Sequence, residues 1–199
     1  MTRSRILFAA AAALTAVTLL LPLWGFRMSA PQYPEESLHL RVARTGISGD
    51  VGEVETLQHY IGVRFPTELP ELRWVTAATI ALSVLLLGGA LLGAGGVGRA
   101  YRLLSAALLL VFIVGSAAAV QRRLYQVGHE RDAKSPLVGI HDFTPPLLGP
   151  ARVGNFTVWS YPHAGGMLFL VAAGLTLAGA RPWHAVVSRA ERRSRRAAA

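Results

Sequence analysis

Four long apolar segments without an internal charged residue dominate this chain and leave few folds open to it. They cover residues 6–26, 74–98, 103–121 and 163–180. A helix needs about 20 apolar residues to cross the hydrocarbon layer of a membrane, and the first three segments satisfy this requirement. The fourth is shorter, begins with the polar His163, and is expected to use residues 158–161 as an interfacial lead-in. With 52% hydrophobic residues overall, the pattern predicts an integral membrane protein.

The distribution of basic residues predicts the orientation of these segments across the membrane. With the amino terminus inside, residues 1–5, 99–102 and 181–199 lie in the cytoplasm and carry ten arginines against one acid. The outer stretches, 27–73 and 122–162, hold ten basic and ten acidic residues, so the formal net charge of +9 is entirely internal. This asymmetry is typical of positive-inside orientation. It predicts a multi-pass protein of the inner membrane with both termini in the cytoplasm.

The predicted fold class is therefore a mainly α membrane protein with four transmembrane helices and a small mixed extracytoplasmic cap. The cap is expected to be built from the 27–73 and 122–162 segments. The predicted order along the chain is an N-terminal anchor (1–26), the first outer segment (27–73), a transmembrane hairpin (74–121), the second outer segment (122–162), a fourth helix (163–180) and a basic tail (181–199).

The first segment has a competing interpretation as a cleaved signal peptide. Arg3 and Arg5 precede an apolar core, as in a secretory signal, but the core is long for one. The only small-residue cleavage position nearby is Ala30, with Met28 at the −3 position and Pro31 following, which is a poor context. We expect the segment to remain as an anchor; cleavage would leave three spans and an outer domain beginning near Pro31.

Short elements can be placed inside the outer segments. Apolar and polar residues alternate over 38–43, which predicts a half-buried strand. Asp50 precedes Glu53 by three residues, the spacing of a capping box, and predicts a helix over 51–62. A second alternation over 156–160 predicts another strand, and the proline- and glycine-rich stretch 144–155 before it is expected to be a loop.

The outer side also holds most residues capable of ligand chemistry. Five of the six histidines and Met28 fall there, and the chain has no cysteine. Imidazole with thioether suits copper, whereas imidazole with carboxylate suits zinc or other divalent ions. No compact metal motif is present, so any site must be assembled between segments. The candidate metal ligands are His59, His39, Met28, His141 and His163; the alternative, that these are surface residues held by hydrogen bonds, stays open.

Several other function classes lack their signatures. A pump or ion-coupled transporter normally needs charged residues inside its spans, and none is found here. No nucleophile elbow is present, and the glycine-rich 93–99 stretch follows a span rather than a strand, so it fails as a phosphate loop. We predict that the chain is not an enzyme. The arginine-rich tail 189–196 suits anionic lipid headgroups, which predicts membrane lipid and not nucleic acid as its partner.

Three separated motifs carry a resemblance to a known family: APQYP (30–34), GDVGEVETLQHYIGV (49–63) and FTPPLLGPARVGNFTVWSYPHAGG (143–166). In this order they resemble a family of small four-span bacterial membrane proteins, found in gene clusters of nitrous oxide reductase and near related copper enzymes. The resemblance covers most of both outer segments but not the sequence of the spans. In the element that matches NHYIGM, this chain has Gln58 for Asn and Val63 for Met, so a His–Met ligand pair would keep only His59.

The resemblance implies an accessory or assembly factor for an extracytoplasmic metalloenzyme, of nitrous oxide reductase type, with a role in denitrification. It implies copper as the metal and another membrane or extracytoplasmic protein as the partner, bound through the outer cap. Two alternatives stay open. The first is a structural subunit or docking protein with no metal site, and the second is a small transporter component.

Overall fold

A computed structural model describes residues 2–30, 33–61, 72–93, 95–129, 144–153 and 156–180. This part of the chain forms five helices and five strands. The helices are α1 (Arg3–Val17), α2 (Val51–Ile61), α3 (Leu72–Leu91), α4 (Gly96–His129) and α5 (Ala164–Ala180). The strands are β1 (Trp24–Ala30), β2 (Tyr33–Ala43), β3 (Gly46–Gly49), β4 (Gly149–Val153) and β5 (Phe156–Pro162).

The protein is mainly helical, as the sequence predicts, and three of its helices are long and apolar enough to cross a membrane. These are α1 with the short 3-10 turn that follows it, α3, and α4; α5 is apolar but has 17 residues. Helix α1 packs between α3 and α5, and α4 packs against both of them. Their shared core consists of small and large apolar side chains, among them Phe8, Ala11, Leu86, Leu109, Phe169 and Ala172.

The turn between α3 and α4 lies earlier than predicted. It falls between Leu91 and Gly96, where the chain is rich in glycine, and not at residues 99–102. Arg102 is instead in the second turn of α4, 6% exposed, and its Nη1 donates to the carbonyls of Gly89 and Leu92 at 3.2 and 3.3 Å. The guanidinium thus caps the carbonyl end of α3, where a helix favours a positive charge.

Helix α4 also runs further than predicted. Arg122 and Arg123, assigned from sequence to the outer segment, are helical, because the run of alanine, glutamine, arginine and leucine around them favours helix. The carbonyl end of α3 has a second cap from α1. Arg5 Nε donates to Ala90 O at 2.7 Å, and Arg5 Nη2 donates to Leu91 O at 3.2 Å.

The strands form one antiparallel sheet in the order β3-β2-β1-β5-β4. Its middle strand, β1, follows α1 after a short connection, and β5 leads directly into α5. The two connections are joined, because the amides of His163 and Gly165 donate to the carbonyls of Leu23 and Pro22 at 3.1 and 2.9 Å. Arg44, just after β2, donates to Leu19 O at 2.7 Å. The sheet is therefore attached to the end of α1 and the start of α5.

The predicted strands over 38–43 and 156–160 and the predicted helix α2 are confirmed. The predicted first span, 6–26, is too long at its end, because residues 24–26 are uncharged like the span but belong to β1. Residues 158–161 lie in β5 and are not a lead-in to α5. Strand β4 lies in the expected loop, and Pro150 fits there because an edge strand tolerates a residue without an N–H.

Alternation along the strands gives the sheet two different faces. The covered face is apolar, and α2 packs on it through Val51 and Val54. Its residues are Trp24, Phe26, Met28, Leu38, Leu40, Val42, Ile47, Val158 and Ser160, placed together by the strand register. Several predictions fall outside the described residues: the helix end at Gly62, the start of the PQYP element, His141 and the tail 181–199.

Candidate functional site

The face of the sheet opposite α2 carries the polar and basic residues that alternate with the apolar residues of the covered face. We call it the open face. Its residues are Gly25, Arg27, Ser29, Ser37, His39, Arg41, Ser48, Pro150, Arg152, Thr157, Trp159 and Tyr161. Arg27, Arg41, Arg152 and Trp159 are exposed, and Trp159 retains 48% of its surface. An exposed tryptophan among arginines on a regular sheet is typical of a binding surface.

The register arranges the open face in three rows. The base row, nearest the helices, is Ser48, Arg41, Gly25 and Tyr161. The middle row is His39, Arg27, Trp159 and Pro150, and the top row is Ser37, Ser29, Thr157 and Arg152. Successive rows are two residues apart, which is about 6.6 Å along a strand.

The three arginines of the open face lie on a diagonal across the sheet. Arg41 is in the base row on β2, Arg27 is in the middle row on β1, and Arg152 is in the top row on β4. Within the described ranges, no side chain or backbone group forms a hydrogen bond or ion pair with their guanidinium groups. Trp159, in register with Arg27, lies between the second and third arginine.

The nearby acidic residues lie elsewhere. The Asp50 carboxylate accepts a hydrogen bond from the His39 amide at 2.8 Å, and the Asp50 amide donates to His39 O at 3.1 Å, so Asp50 is held by the backbone of β2. Glu53 and Glu55 are exposed on α2, on the covered side of the sheet. The side chains of Glu35 and Glu36 lie outside the described set. Of the described acidic side chains of the cap, Glu53 and Glu55 therefore lie on the side away from the open face, and Asp50 is bonded to β2.

Aromatic rings and a glycine shape the base row. The Tyr161 ring lies over Gly25, where an added Cβ would come within 2.8 Å of Tyr161 Cε2. Tyr161 also stacks with His163, with ring centroids 6.4 Å apart. His163 Nδ1 accepts a hydrogen bond from the Ala164 amide at 2.8 Å, at the first turn of α5. This bond satisfies one of the free amides that every helix start presents.

On the covered face, one buried hydroxyl holds β5 in position. Ser160, 3% exposed, accepts a hydrogen bond from Trp24 Nε1 at 2.8 Å and donates to Leu147 O at 2.8 Å. The same loop is tied to α4, because Gln121 Nε2 donates to Pro145 O at 3.1 Å. These bonds fix the strand that presents Trp159 on the opposite side.

The structure separates the described metal-ligand candidates. Met28 is buried in the apolar core under α2, whereas His39 lies on the open face, so one ion cannot contact both side chains. His163 directly follows β5, four residues beyond Trp159, and is therefore about 13 Å from the middle row that holds His39. Among the described residues, no group of three or more histidine, cysteine or acidic side chains is placed to hold a metal. The side chains of His59 and His141 lie outside the described set, so their role stays a prediction.

Sequence reasoning missed the open face because it missed β1. The alternation of Trp24, Phe26 and Met28 with Gly25, Arg27 and Ser29 was the available signal. It was hidden because its first apolar residues continue the preceding span. No protein-family model matches the chain, and no curated protein matches it significantly.

Proposed function

We propose that this chain is an integral membrane protein with four spanning helices, which docks another protein through the open face of its sheet. The four helices share one apolar core that includes Phe8, and α5, about 25 Å long, is close to the thickness it must cross. The observation that carries the docking function is the exposed diagonal of arginines beside Trp159. It sits on a sheet attached to two helices of the bundle.

The arrangement of the arginines supports an extracytoplasmic sheet. Arg5 at the start of α1 touches the end of α3, so the start of α1 and the α3–α4 turn share one end of the bundle. Arg3, Arg99 and Arg102 belong to the same end, while the sheet follows the opposite end of α1. This end of the bundle carries arginines and no acid among its described residues, which supports a cytoplasmic position for it and an outer position for the sheet.

The same geometry supports retention of α1. Cleavage after Ala30 would remove α1 together with β1, the middle strand of the sheet. It would also remove Phe8 and Ala11, both fully buried in the helical core. A chain cut there would lose the middle strand of the sheet and a helix that contributes to the helical core. We therefore propose that α1 remains as a membrane anchor.

The role of an accessory factor for an extracytoplasmic metalloenzyme, of nitrous oxide reductase type, rests on the order of the three motifs. A docking protein without its own metal site has separate support, because Met28 and His39 lie on opposite faces of the sheet. Both roles use the cap as a contact surface and need no catalytic residue. The partner in either case is another membrane or extracytoplasmic protein.

Two measurements test the proposal. Reporter fusions after residues 45 and 190 are expected to report opposite compartments, and a shared compartment would contradict the topology. For docking, a photo-crosslinking amino acid is placed at Trp159 in the full chain, in its own membrane, with Thr56 on the exposed side of α2 as the matched position. A discrete protein adduct at Trp159 and none at Thr56 is expected. Equal labelling at both positions, or none at Trp159, would exclude docking through the open face.

A further inference from the structure

We propose that the segment bound by the open face is an acidic stretch of the partner protein, lying along the diagonal of Arg41, Arg27 and Arg152. This inference rests on the proposed docking function and names the chemistry of the partner. The three guanidinium groups are exposed and make no bond within the described residues. Guanidinium is the side chain best shaped for two-point contact with a carboxylate.

The dimensions of the diagonal suit an extended chain. Arg41 and Arg27 are one strand and one row apart, which is about 8 Å, and Arg27 and Arg152 are two strands and one row apart, about 12 Å. The whole diagonal is about 20 Å long, the reach of six extended residues. Trp159 lies between Arg27 and Arg152, where its aromatic ring can pack against the backbone and aliphatic carbons of the bound segment.

The direction of the diagonal favours a protein over lipid headgroups. From Arg41 to Arg152 it rises through two rows, about 13 Å farther from the ends of α1 and α5. A headgroup layer at the helix ends would meet the base row and its aromatic residues first. The top row is reached by a partner that stands out from the membrane with the sheet.

The described charges of the cap also favour the open face over α2 as the contact for an acidic partner. Glu53 and Glu55 on α2 belong to the covered side, and Asp50 is bonded to the backbone of β2. An acidic segment is therefore attracted to the three arginines of the open face, whereas the charged side chains described on α2 are acidic. Charge complementarity of this kind mainly sets orientation and the rate of encounter.

The test uses the full chain in nanodiscs of phosphatidylcholine, a zwitterionic lipid. The probe is a fluorescein-labelled peptide of about eight residues with glutamate at alternate positions, and the control peptide has glutamine instead. Fluorescence anisotropy should show binding of the glutamate peptide at about 20 mM salt, weakening at about 300 mM, because exposed charges are screened. Each single change, Arg27→Gln, Arg41→Gln or Arg152→Gln, is expected to weaken binding about threefold, and the triple change at least about tenfold.

Two control variants show whether a loss of binding is specific to these three arginines and whether it comes from misfolding of the cap. Arg73→Gln/Arg122→Gln removes exposed arginines from α3 and α4 and is expected to leave peptide binding unchanged. The triple Arg→Lys variant keeps the charge and should recover most of the affinity, whereas a misfolded cap would not. The proposal is overturned if the triple Arg→Gln variant binds like the wild type, or if the control pair loses as much.

A last comparison separates this inference from docking itself. If the Trp159 adduct persists in the triple Arg→Gln variant, the docking function stands and the acidic partner is wrong. If the wild type forms no adduct, docking is wrong. Loss of binding to phosphatidylglycerol vesicles by the triple variant, with peptide binding unchanged, would identify the open face as a lipid contact and also overturn the proposal.

Discussion

The ring of Phe8 occupies the space that a side chain would need at Gly89. A Cβ added at Gly89 would lie 2.7 Å from Phe8 Cδ1, and one added at Gly179 would lie 2.9 Å from Phe8 Cδ2. Phe8 is fully buried, so the ring has no open side toward which it can turn. The two glycines, on α3 and α5, let both helices approach α1 closely, as small residues do between membrane helices.

Filling either glycine should therefore loosen the bundle. Gly89→Val or Gly179→Val must push α1 away from its neighbour, at an expected cost of about 1–3 kcal/mol. Phe8→Ala leaves a cavity between three helices and is expected to cost about 3 kcal/mol. The free energy of unfolding in mixed micelles, titrated with dodecyl sulfate, measures both.

Gly174 supplies the matched control for this prediction. It is on α5 like Gly179, it is exposed, and a Cβ added there meets nothing within 4 Å. Gly174→Val is expected to change stability by less than about 0.5 kcal/mol. Equal losses for Gly174→Val and Gly179→Val would show that the contact with Phe8 is not what limits the substitution.

The buried guanidinium of Arg102 should stabilise the α3–α4 hairpin. It donates to the carbonyl of Gly89, in the last turn of α3 where carbonyls lack a partner within the helix, and to the carbonyl of Leu92, which follows the helix. Arg102→Leu leaves these buried acceptors unpaired and is expected to cost about 2 kcal/mol in the same unfolding titration. Arg99→Leu removes the same charge from the preceding turn, but Arg99 is exposed, so its cost should be small. Similar losses for both variants would mean that loss of a positive charge, and not loss of the hydrogen bonds from Arg102, causes the destabilisation.

The buried hydroxyl of Ser160 is expected to hold the sheet together near its base. Ser160→Ala leaves Trp24 Nε1 without its acceptor and Leu147 O without its donor, at a cost of about 1–3 kcal/mol. Faster hydrogen exchange of the β1 and β5 amides, together with a red shift of tryptophan emission, should report the loss. Ser48→Ala changes an exposed hydroxyl of the open face and should leave both signals near the wild type.

The sequence predicts the helices and two of the strands because their residues obey a simple period. Alternation over 38–43 and the Asp50–Glu53 spacing each act over a few neighbouring residues, and both elements are present. Strand β1 was missed because Trp24, Gly25 and Phe26 are as apolar as the span before them. Only pairing with β2, which follows directly along the chain, and with β5, which is distant in sequence, makes these residues a strand.

The roles of the arginines that are predicted to lie in the cytoplasm could be read from the sequence only in part. Their number predicts orientation, but Arg5 and Arg102 also cap α3, a role set by distances across the bundle. The open face could not be predicted from the sequence for a similar reason. Arg27, Arg41 and Arg152 lie on three strands, and only the register brings them onto one diagonal.

Metal content tests the ligand hypothesis residue by residue. If copper or zinc binds the cap, Met28→Leu is expected to leave its stoichiometry unchanged, because Met28 packs with Leu40 and Val54 under α2. His59→Ala and His39→Ala should each lower the stoichiometry if those side chains are ligands. The measurement is elemental analysis of the purified full chain under reducing and under oxidising conditions. Absence of both metals from the wild type at stoichiometric levels would show that the ligand hypothesis is wrong.

The contact of Tyr161 with Gly25 should be detectable as a coupling between the two positions. Gly25→Ala forces the Tyr161 ring away from the base row and is expected to destabilise the cap by about 1 kcal/mol. In the background of Tyr161→Ala the same change should cost little, because the atoms it meets are gone. The double-mutant cycle is therefore expected to show a coupling of about 0.5–1 kcal/mol, measured by thermal loss of the near-ultraviolet circular dichroism of the cap. Gly52→Ala, on the exposed side of α2 with nothing within 4 Å, should be neutral or stabilising in both backgrounds. An equal cost for Gly25→Ala with and without Tyr161 would mean that the backbone of β1, and not the ring above it, requires glycine.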